Sequence, residues 1–235
     1  MWPEGWESFH ENKEDFHLYT AVLCFNPSAA RAIILAEDGA TPLGPPLNLT
    51  TASATNWRNQ SEKDFKQFYV YGEESFGAWH PAQWSHLMES WLKVVDPGGD
   101  SWNKAVLNDI MELYYRYDDS IPLESKPLMA TNAKRWLKTG SKKDAIRIHR
   151  MGTRLEVAAI VQNRLLAHNV FQVQTSKDAA YHCMVFYDQC HLSAEHIPLL
   201  WEGDADEECW DALRPFIEKL DTSASHPWSA LTVLT

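Results

Sequence analysis

The stretch from Lys134 to Arg154, KRWLKTGSKKDAIRIHRMGTR, constrains this chain more than any other. It carries eight Lys and Arg against a single acid, Asp144, inside a chain whose formal charge is −11. So concentrated a positive charge has two physical outlets: an anionic ligand or partner, or the chain's own carboxylates. The segment from Glu202 to Asp221, with eight acids against Arg214 and Lys219, is the acidic counterpart that could neutralise it. Part of the basic stretch also fixes a local structure. From Ala145 to Arg150, Ile146 and Ile148 alternate with Arg147 and His149, the period of a strand with one apolar and one cationic face.

Gly152 then permits a sharp turn, and Thr153 followed by Glu156 has the spacing of a capping box. This pattern predicts a helix beginning at Arg154. Leu155, Ala158, Ala159, Gln162, Leu165 and Leu166 follow at helical spacing, with His168 and Asn169 as a stop, and Val170, Phe171 and Val173 resume as a strand. The free amides at such a helix start favour an anion. The binding set expected there is Lys142, Lys143, Arg147, His149, Arg150 and Arg154, for a phosphate or carboxylate. The loop lacks the closely spaced glycines of a P-loop or dinucleotide fingerprint, and the bland alternative is a set of arginines held by the chain's own acids.

Elsewhere, His17 to Phe25 and Ala32 to Glu37 read as a β-hairpin across Asn26-Pro27-Ser28. Thr41 to Asn59 is rich in Pro, Thr, Asn and Ser and reads as a long loop, and Phe68 to Tyr71 as a short strand. Three helices are expected next. The first carries Trp84, Leu87, Met88, Trp91, Leu92 and Val95; the second, capped by Ser101, carries Trp102, Val106, Ile110, Leu113 and Tyr117; the third follows Ser125 through Leu137. Ala180 to Asp188 reads as a strand, 202–221 as a helix through Leu213, Phe216, Ile217 and Leu220, and 226–235 as a docking strand. No internal repeat is visible. The resulting expectation is an α+β fold: an N-terminal β-hairpin, a central helical block, and a C-terminal β-α-β-β layer with a closing helix. It is read as one compact domain over 1–235, with sub-divisions at 1–75, 76–140 and 141–235.

No run of apolar residues approaches a membrane span, and the first sixteen residues have neither a basic nor an apolar leader region. With four scattered cysteines read as reduced, the expectation is a soluble cytoplasmic protein with no membrane partner. Cys190, His191, His196 and Cys209 are the best metal-ligand types, but their spacing is not that of a finger or ribbon, so no metal and no cofactor are expected. Cys183 or Cys190 beside a histidine, Asp118-Asp119, and Asp109 with Glu112 are the other groups with chemistry. None of G-x-S-x-G, H-E-x-x-H or a Walker motif is present.

Eleven tryptophans are an unusual number and serve equally in cores and at interfaces. The reading that follows is a non-catalytic, intracellular interaction protein, an adaptor, immunity-type protein or complex subunit with a protein partner. It would use the basic surface at 134–154 and tryptophan-rich faces. The alternatives are an enzyme acting on an anionic small molecule held at the Arg154 helix start, and a nucleic-acid-binding subunit using the same basic stretch.

Overall fold

The N-terminal hairpin forms as its sequence dictates. TAVLCF and ARAIIL are nearly continuous apolar runs, the pattern of strands covered on both faces, and they become β1 (Thr20–Phe25) and β2 (Ala30–Leu35), antiparallel from Thr20 opposite Leu35 to Phe25 opposite Ala30. Asn26 makes the turn: its Oδ1 accepts the amides of Ser28 at 3.0 Å and Ala29 at 2.7 Å. The computed structural model describes residues 13–38, 41–44, 46–95, 102–108, 110–122, 124–139 and 144–224. The chain divides into two units, Met1–Thr131 and Asn132–Thr235.

In the first unit, β3 (Leu47–Leu49) pairs with β2, and β4 (Gln67–Gly72) lies parallel to β1. With β8 (Lys126–Pro127) parallel to β4, the sheet order is β3-β2-β1-β4-β8. The expected long loop holds a helix, α1 (Thr51–Ser61), capped by the Thr50 hydroxyl, which accepts the Ser53 amide at 3.1 Å. Only Ala54, Trp57 and Ser61 are buried on it, so no apolar stripe marks it in the sequence.

Between β4 and β8 stands an insert. It comprises β5 (Phe76–Pro81), α2 (Ser85–Val95), β6 (Asn103–Val106) and β7 (Met111–Arg116), the strands forming an antiparallel sheet in the order β5-β7-β6. The central block is therefore mixed rather than helical. The first and third expected helices exist, as α2 and as α3 (Leu128–Thr139). The second does not, and its proposed Ser101 cap lies outside the described residues. Val106, Ile110 and Leu113 fit a 3.6-residue period, but Leu113, Tyr115 and Tyr117 also alternate with Glu112, Tyr114 and Arg116, and aromatics favour strands. Asn108 decides the matter by accepting the amides of Ile110 and Met111, both at 2.9 Å, in a turn that folds the segment into a hairpin.

The second unit opens with β9 (Ala145–Met151), the strand that alternation predicts. The predicted helix from Arg154 is instead β10 (Arg154–Val161), antiparallel to β9 with Met151 opposite Arg154 across Gly152-Thr153. Gln162 and Asn163, at φ of 51° and 59°, turn the chain again into β11 (Arg164–Gln172). LEVAAIV is a short apolar run that periodicity alone cannot assign, and Gln162-Asn163 is the punctuation of a hairpin turn. The capping box lies at Thr175 instead. Its hydroxyl accepts the Asp178 amide at 3.1 Å while Asp178 accepts the Thr175 amide at 3.0 Å, and α4 (Ser176–Gln189) replaces the strand expected over 180–188.

β12 (Leu199–Gly203), α5 (Glu207–Leu213) and β13 (Leu220–Ala224) follow; the acidic helix is shorter than expected and is flanked by two strands. β12 is parallel to β9 and β13 to β12, giving the order β11-β10-β9-β12-β13. The N-terminal arm up to residue 12 and the tail from 226 lie outside the described residues. Each unit thus runs strand, strand, strand, helix, strand, further structure, strand, with the same sheet order and sense. The topology is repeated although the sequence is not. What the first unit places between its two parallel strands is the insert; the second has only α5 there.

Ile146, Ile148, Leu155, Val157, Leu199 and Trp201 form the apolar face of the second sheet, packed against Cys183, Phe186 and Tyr187 of α4 and Cys209, Trp210 and Leu213 of α5. β12 ends at Gly203, whose φ of +90° and close approach to Arg150 are open only to glycine; a Cβ there would lie 2.1 Å from the Arg150 carbonyl oxygen. Gly203→Ala should therefore destabilise the protein by about 3 kcal/mol or more, read as a lower urea midpoint. A midpoint within error of the parent's would show that the strand end is not so confined.

Candidate functional site

The opposite face of the second sheet is ionic. Strand alternation puts Arg147 and His149 of β9 on it, and antiparallel register sets Glu156 of β10 opposite His149. Glu202 of β12 is opposite His149 from the other side, and His168 of β11 is opposite Ala158. Asn132, Arg135 and Trp136 reach the same groups from α3. Glu156 binds His168 Nε2 through Oε1 at 2.9 Å, and its Oε2 accepts Asn132 Nδ2 at 3.0 Å and Arg154 Nη2 at 3.2 Å. Glu202 accepts from Arg135, from Trp136 Nε1 at 2.9 Å and from Arg147 Nη1 at 3.4 Å. Asn132 Nδ2 also lies 3.3 Å from His149 Nδ1.

These groups are inside the protein. His149, Glu156 and Asn132 are fully buried, and Arg154, Arg135 and Arg147 nearly so. Burial pushes the Glu156 carboxyl up, but the His168 hydrogen bond and the Arg154 charge outweigh it and hold the pKa at about 2. Glu202 is likewise depressed: burial opposes ionisation, and Arg135 overcomes it by charge and hydrogen bond. Burial lowers His149 below its ordinary value and favours the neutral ring.

The residues read from the sequence as an anion-binding set are distributed by this geometry. Arg147, His149 and Arg154 face the interior, where Glu202 and Glu156 neutralise the two arginines. Arg150, partly buried, pairs with Asp206 and donates from Nε to the Gly152 carbonyl at 3.3 Å. Lys142 and Lys143 lie outside the described residues. The helix start that was to hold an anion at Arg154 is replaced by a strand, because Thr153 sits in a hairpin turn and the Glu156 carboxylate points into the cluster. The acidic 202–221 segment does supply the countercharge, through Glu202 and Asp206. His149, Glu156 and Glu202 were within reach of sequence reasoning had the register been known; His168, read as a helix stop, carried no signal.

The metal-ligand types do not converge. Cys209 is in the apolar core, Cys190 caps the end of α4, His191 follows it with φ of 53°, and His196 is exposed. Among the described residues no group of three His, Cys, Asp or Glu is placed to hold a metal ion. Burial pushes the thiols of Cys183 and Cys190 up, and Cys209 to about 12, against any thiolate nucleophile. Asp118 is an exposed turn residue whose carboxylate accepts the Ser120 amide at 3.1 Å; Asp109 is outside the described residues. No helix among the described residues is long and apolar enough to cross a membrane.

The second notable feature is in the insert. Ser85 donates to Glu112, which also takes Lys104 Nζ at 3.2 Å, so the start of α2 is tied to β7 and β6. α2 buries Met88 and Leu92 but leaves Trp84 just before it 52%, Leu87 55% and Trp91 45% exposed. With Trp79 of β5 and Met88 they line a groove of about 300 Å³. Positions 84, 87, 88 and 91 are the stripe that helical periodicity marks in the sequence. In contrast, Trp57, Trp136, Trp201 and Trp210 are buried.

A pH dependence follows from the cluster. Glu156 titrates at about 2 when folded against an ordinary 4.5, so its contribution is complete above pH 4.5 and is lost as pH falls towards 2. The shift corresponds to about 3 kcal/mol. Glu156→Gln should lower urea stability at pH 7 and flatten the loss that the parent protein shows below pH 4.5. Parallel pH profiles for the two proteins would contradict the assignment.

Residues 107–220 match a family model described as a protein of unknown function, DUF3822. No curated protein matches the sequence. Solved structures are similar in fold. A Bacteroides thetaiotaomicron protein with an actin-like ATPase fold and unknown function aligns with 95% of this chain and 99% of its own, at 12% identity and a TM-score of 0.72. The cytoplasmic domain of EpsL, an inner membrane component of the type II secretion system of Vibrio cholerae, aligns over 91% of this chain and 93% of its own at 8% identity, TM-score 0.51. A chain of the PilM-PilN type IV pilus biogenesis complex aligns over 91% and 90% at 10% identity, TM-score 0.52. The fold of this chain is therefore like that of a protein with an actin-like ATPase fold.

Proposed function

We propose that this chain is a non-catalytic binding protein, a subunit of a protein assembly, that docks through the tryptophan face of its insert. The observation that carries the reading is the exposure of Trp84, Leu87 and Trp91 around one groove. Large apolar side chains held half in water by a rigid helix are the composition of interface hot spots rather than of an ordinary surface. Two neighbours of like fold have a setting that supports it: EpsL is a component of a secretion system, and the PilM-PilN chain belongs to a pilus biogenesis complex. The ionic cluster supports the non-catalytic part, since its carboxylates are committed to arginines of the same chain and buried away from any substrate.

The reading predicts that Trp84→Ala and Trp91→Ala each weaken capture of the native partner by about 2 kcal/mol, roughly thirtyfold, in pull-downs with the purified chain as bait, while the melting temperature stays near the parent's. Capture unaltered by both variants would count against docking at this face. Reversal of Arg147 to Glu, by contrast, sets a carboxylate beside buried Glu202 and should abolish folding rather than binding; a well-folded variant would return the basic stretch to consideration as a surface.

A further inference from the structure

One carboxylate of the insert is reached from both walls of the groove. In the antiparallel pairing of β5 and β7, His80 stands directly opposite Glu112. His80 follows Trp79 on β5, and Ser85, the first residue of α2, follows Trp84. Two groove-lining tryptophans therefore adjoin the two side chains that approach Glu112. Ser85 donates to Glu112 Oε2, Lys104 Nζ of β6 holds Oε1 at 3.2 Å, and His80 Nε2 lies 3.7 Å from Oε2. The contact from His80 differs from the other two, because the other ring nitrogen decides what it can be. His80 Nδ1 is 2.8 Å from the Pro81 carbonyl oxygen, which can only accept, so the proton of the neutral ring resides on Nδ1. Nε2 then presents a lone pair to a carboxylate. His80 is 4% exposed, and among the described residues this nitrogen has no hydrogen-bond partner. A second ring proton makes Nε2 a cationic donor beside the same carboxylate, an attraction of the charge-assisted class.

We infer that the insert carries a proton-dependent clasp: proton uptake at His80 Nε2 fastens β5 to Glu112 and, through Ser85, to the start of α2, so that both walls of the groove are held by one carboxylate. The bearing of the clasp on partner capture rests on the docking reading; the clasp itself does not. Facing the imidazole are Glu112 and Tyr114 of β7, the Tyr114 ring with its centroid 4.8 Å away, while Lys104 of β6 and Ser85 of α2 meet it on the Glu112 carboxylate. The Ser85 hydrogen bond, opposed by burial and assisted by Lys104, holds the Glu112 carboxyl below its ordinary 4.5. The clasp is therefore present where the ring carries its second proton and Glu112 is still charged. It is lost as pH rises and Nε2 gives up that proton, and lost again at the acid extreme, below 4.5, as Glu112 itself is protonated.

The test is hydrogen exchange on the purified full chain at about pH 8 and about pH 5.5, a range in which histidines change charge, with the protection of each amide referred to its intrinsic rate at that pH. Relative to the amides of β10, those of residues 76–95 should be at least about fivefold better protected at the lower pH. His80→Phe keeps an aromatic ring against Tyr114 and Glu112→Gln keeps an acceptor for Ser85, yet each removes one half of the ion pair, so neither should show the gain. Should His80→Phe fail to fold, His80→Gln, whose side chain does not titrate, takes its place with the same expectation. Equal protection of the parent at the two pH values overturns the inference, as does a gain that persists in the His80 variant or in Glu112→Gln. The two levels separate. If the gain follows His80 while capture of the native partner ignores Trp84→Ala and Trp91→Ala, the clasp stands and the docking reading falls; if capture needs both tryptophans while protection ignores His80, the docking reading stands and the clasp falls.

Discussion

The second unit depends on how Glu156 and Glu202 neutralise the cations of its own sheet. Taking an arginine out of water costs several kcal/mol unless it is paired with good geometry, and β9 and β10 bring Arg147 and Arg154 inside, with Arg135 arriving from α3. Register places each carboxylate where an arginine and further hydrogen-bonding neighbours meet it. Glu202 takes Arg135, Arg147 and the Trp136 indole; Glu156 takes Arg154, His168 and Asn132. Gly203 matters for the same reason, because the sharp end it gives β12 fixes the residue before it, Glu202. The apolar face packed by α4 and α5 supplies burial; the ionic face specifies register.

This arrangement separates what was legible in the sequence from what was not. Ile146 and Ile148 against Arg147 and His149 gave β9 and its two unlike faces, because a period of two is unambiguous when the alternating residues differ so much in polarity. Of the charge contrast between 134–154 and 202–221, Arg135 and Arg147 are met by Glu202 and Arg150 by Asp206, while Lys134 and Lys138 are exposed. Whether the cations met a ligand or a carboxylate depended on strand pairing between residues about fifty positions apart, which no local pattern encodes. The error at Arg154 had a local cause. Thr153 and Glu156 have capping-box spacing by chance, while the real box is at Thr175 and Asp178, ahead of AYHCMVFYD, whose aromatic residues favour a strand locally.

The insert shows the converse. Its first helix was plain from Trp84, Leu87, Met88, Trp91 and Leu92, yet periodicity does not say which side of a wide apolar stripe meets the core. Met88 and Leu92 do; Trp84, Leu87 and Trp91 remain at the surface. The two units share a topology that the sequence hides, since strand order survives replacement of every side chain provided that polarity is kept. The insert is where they differ most, and it is there that Trp84 and Trp91 stand exposed around one groove. Fold alone does not assign activity, so the argument for assembly rests on that surface and not on the actin-like architecture.

Hydrogen exchange on the native complex tests the account most directly. Amides of α2 and the residues leading into it, 82–95, should gain protection when the partner binds, while β9 and β10 exchange slowly in both states because their cluster is already closed. Protection appearing at 134–154 instead, with 82–95 unchanged, would contradict the account and make the basic stretch the binding surface.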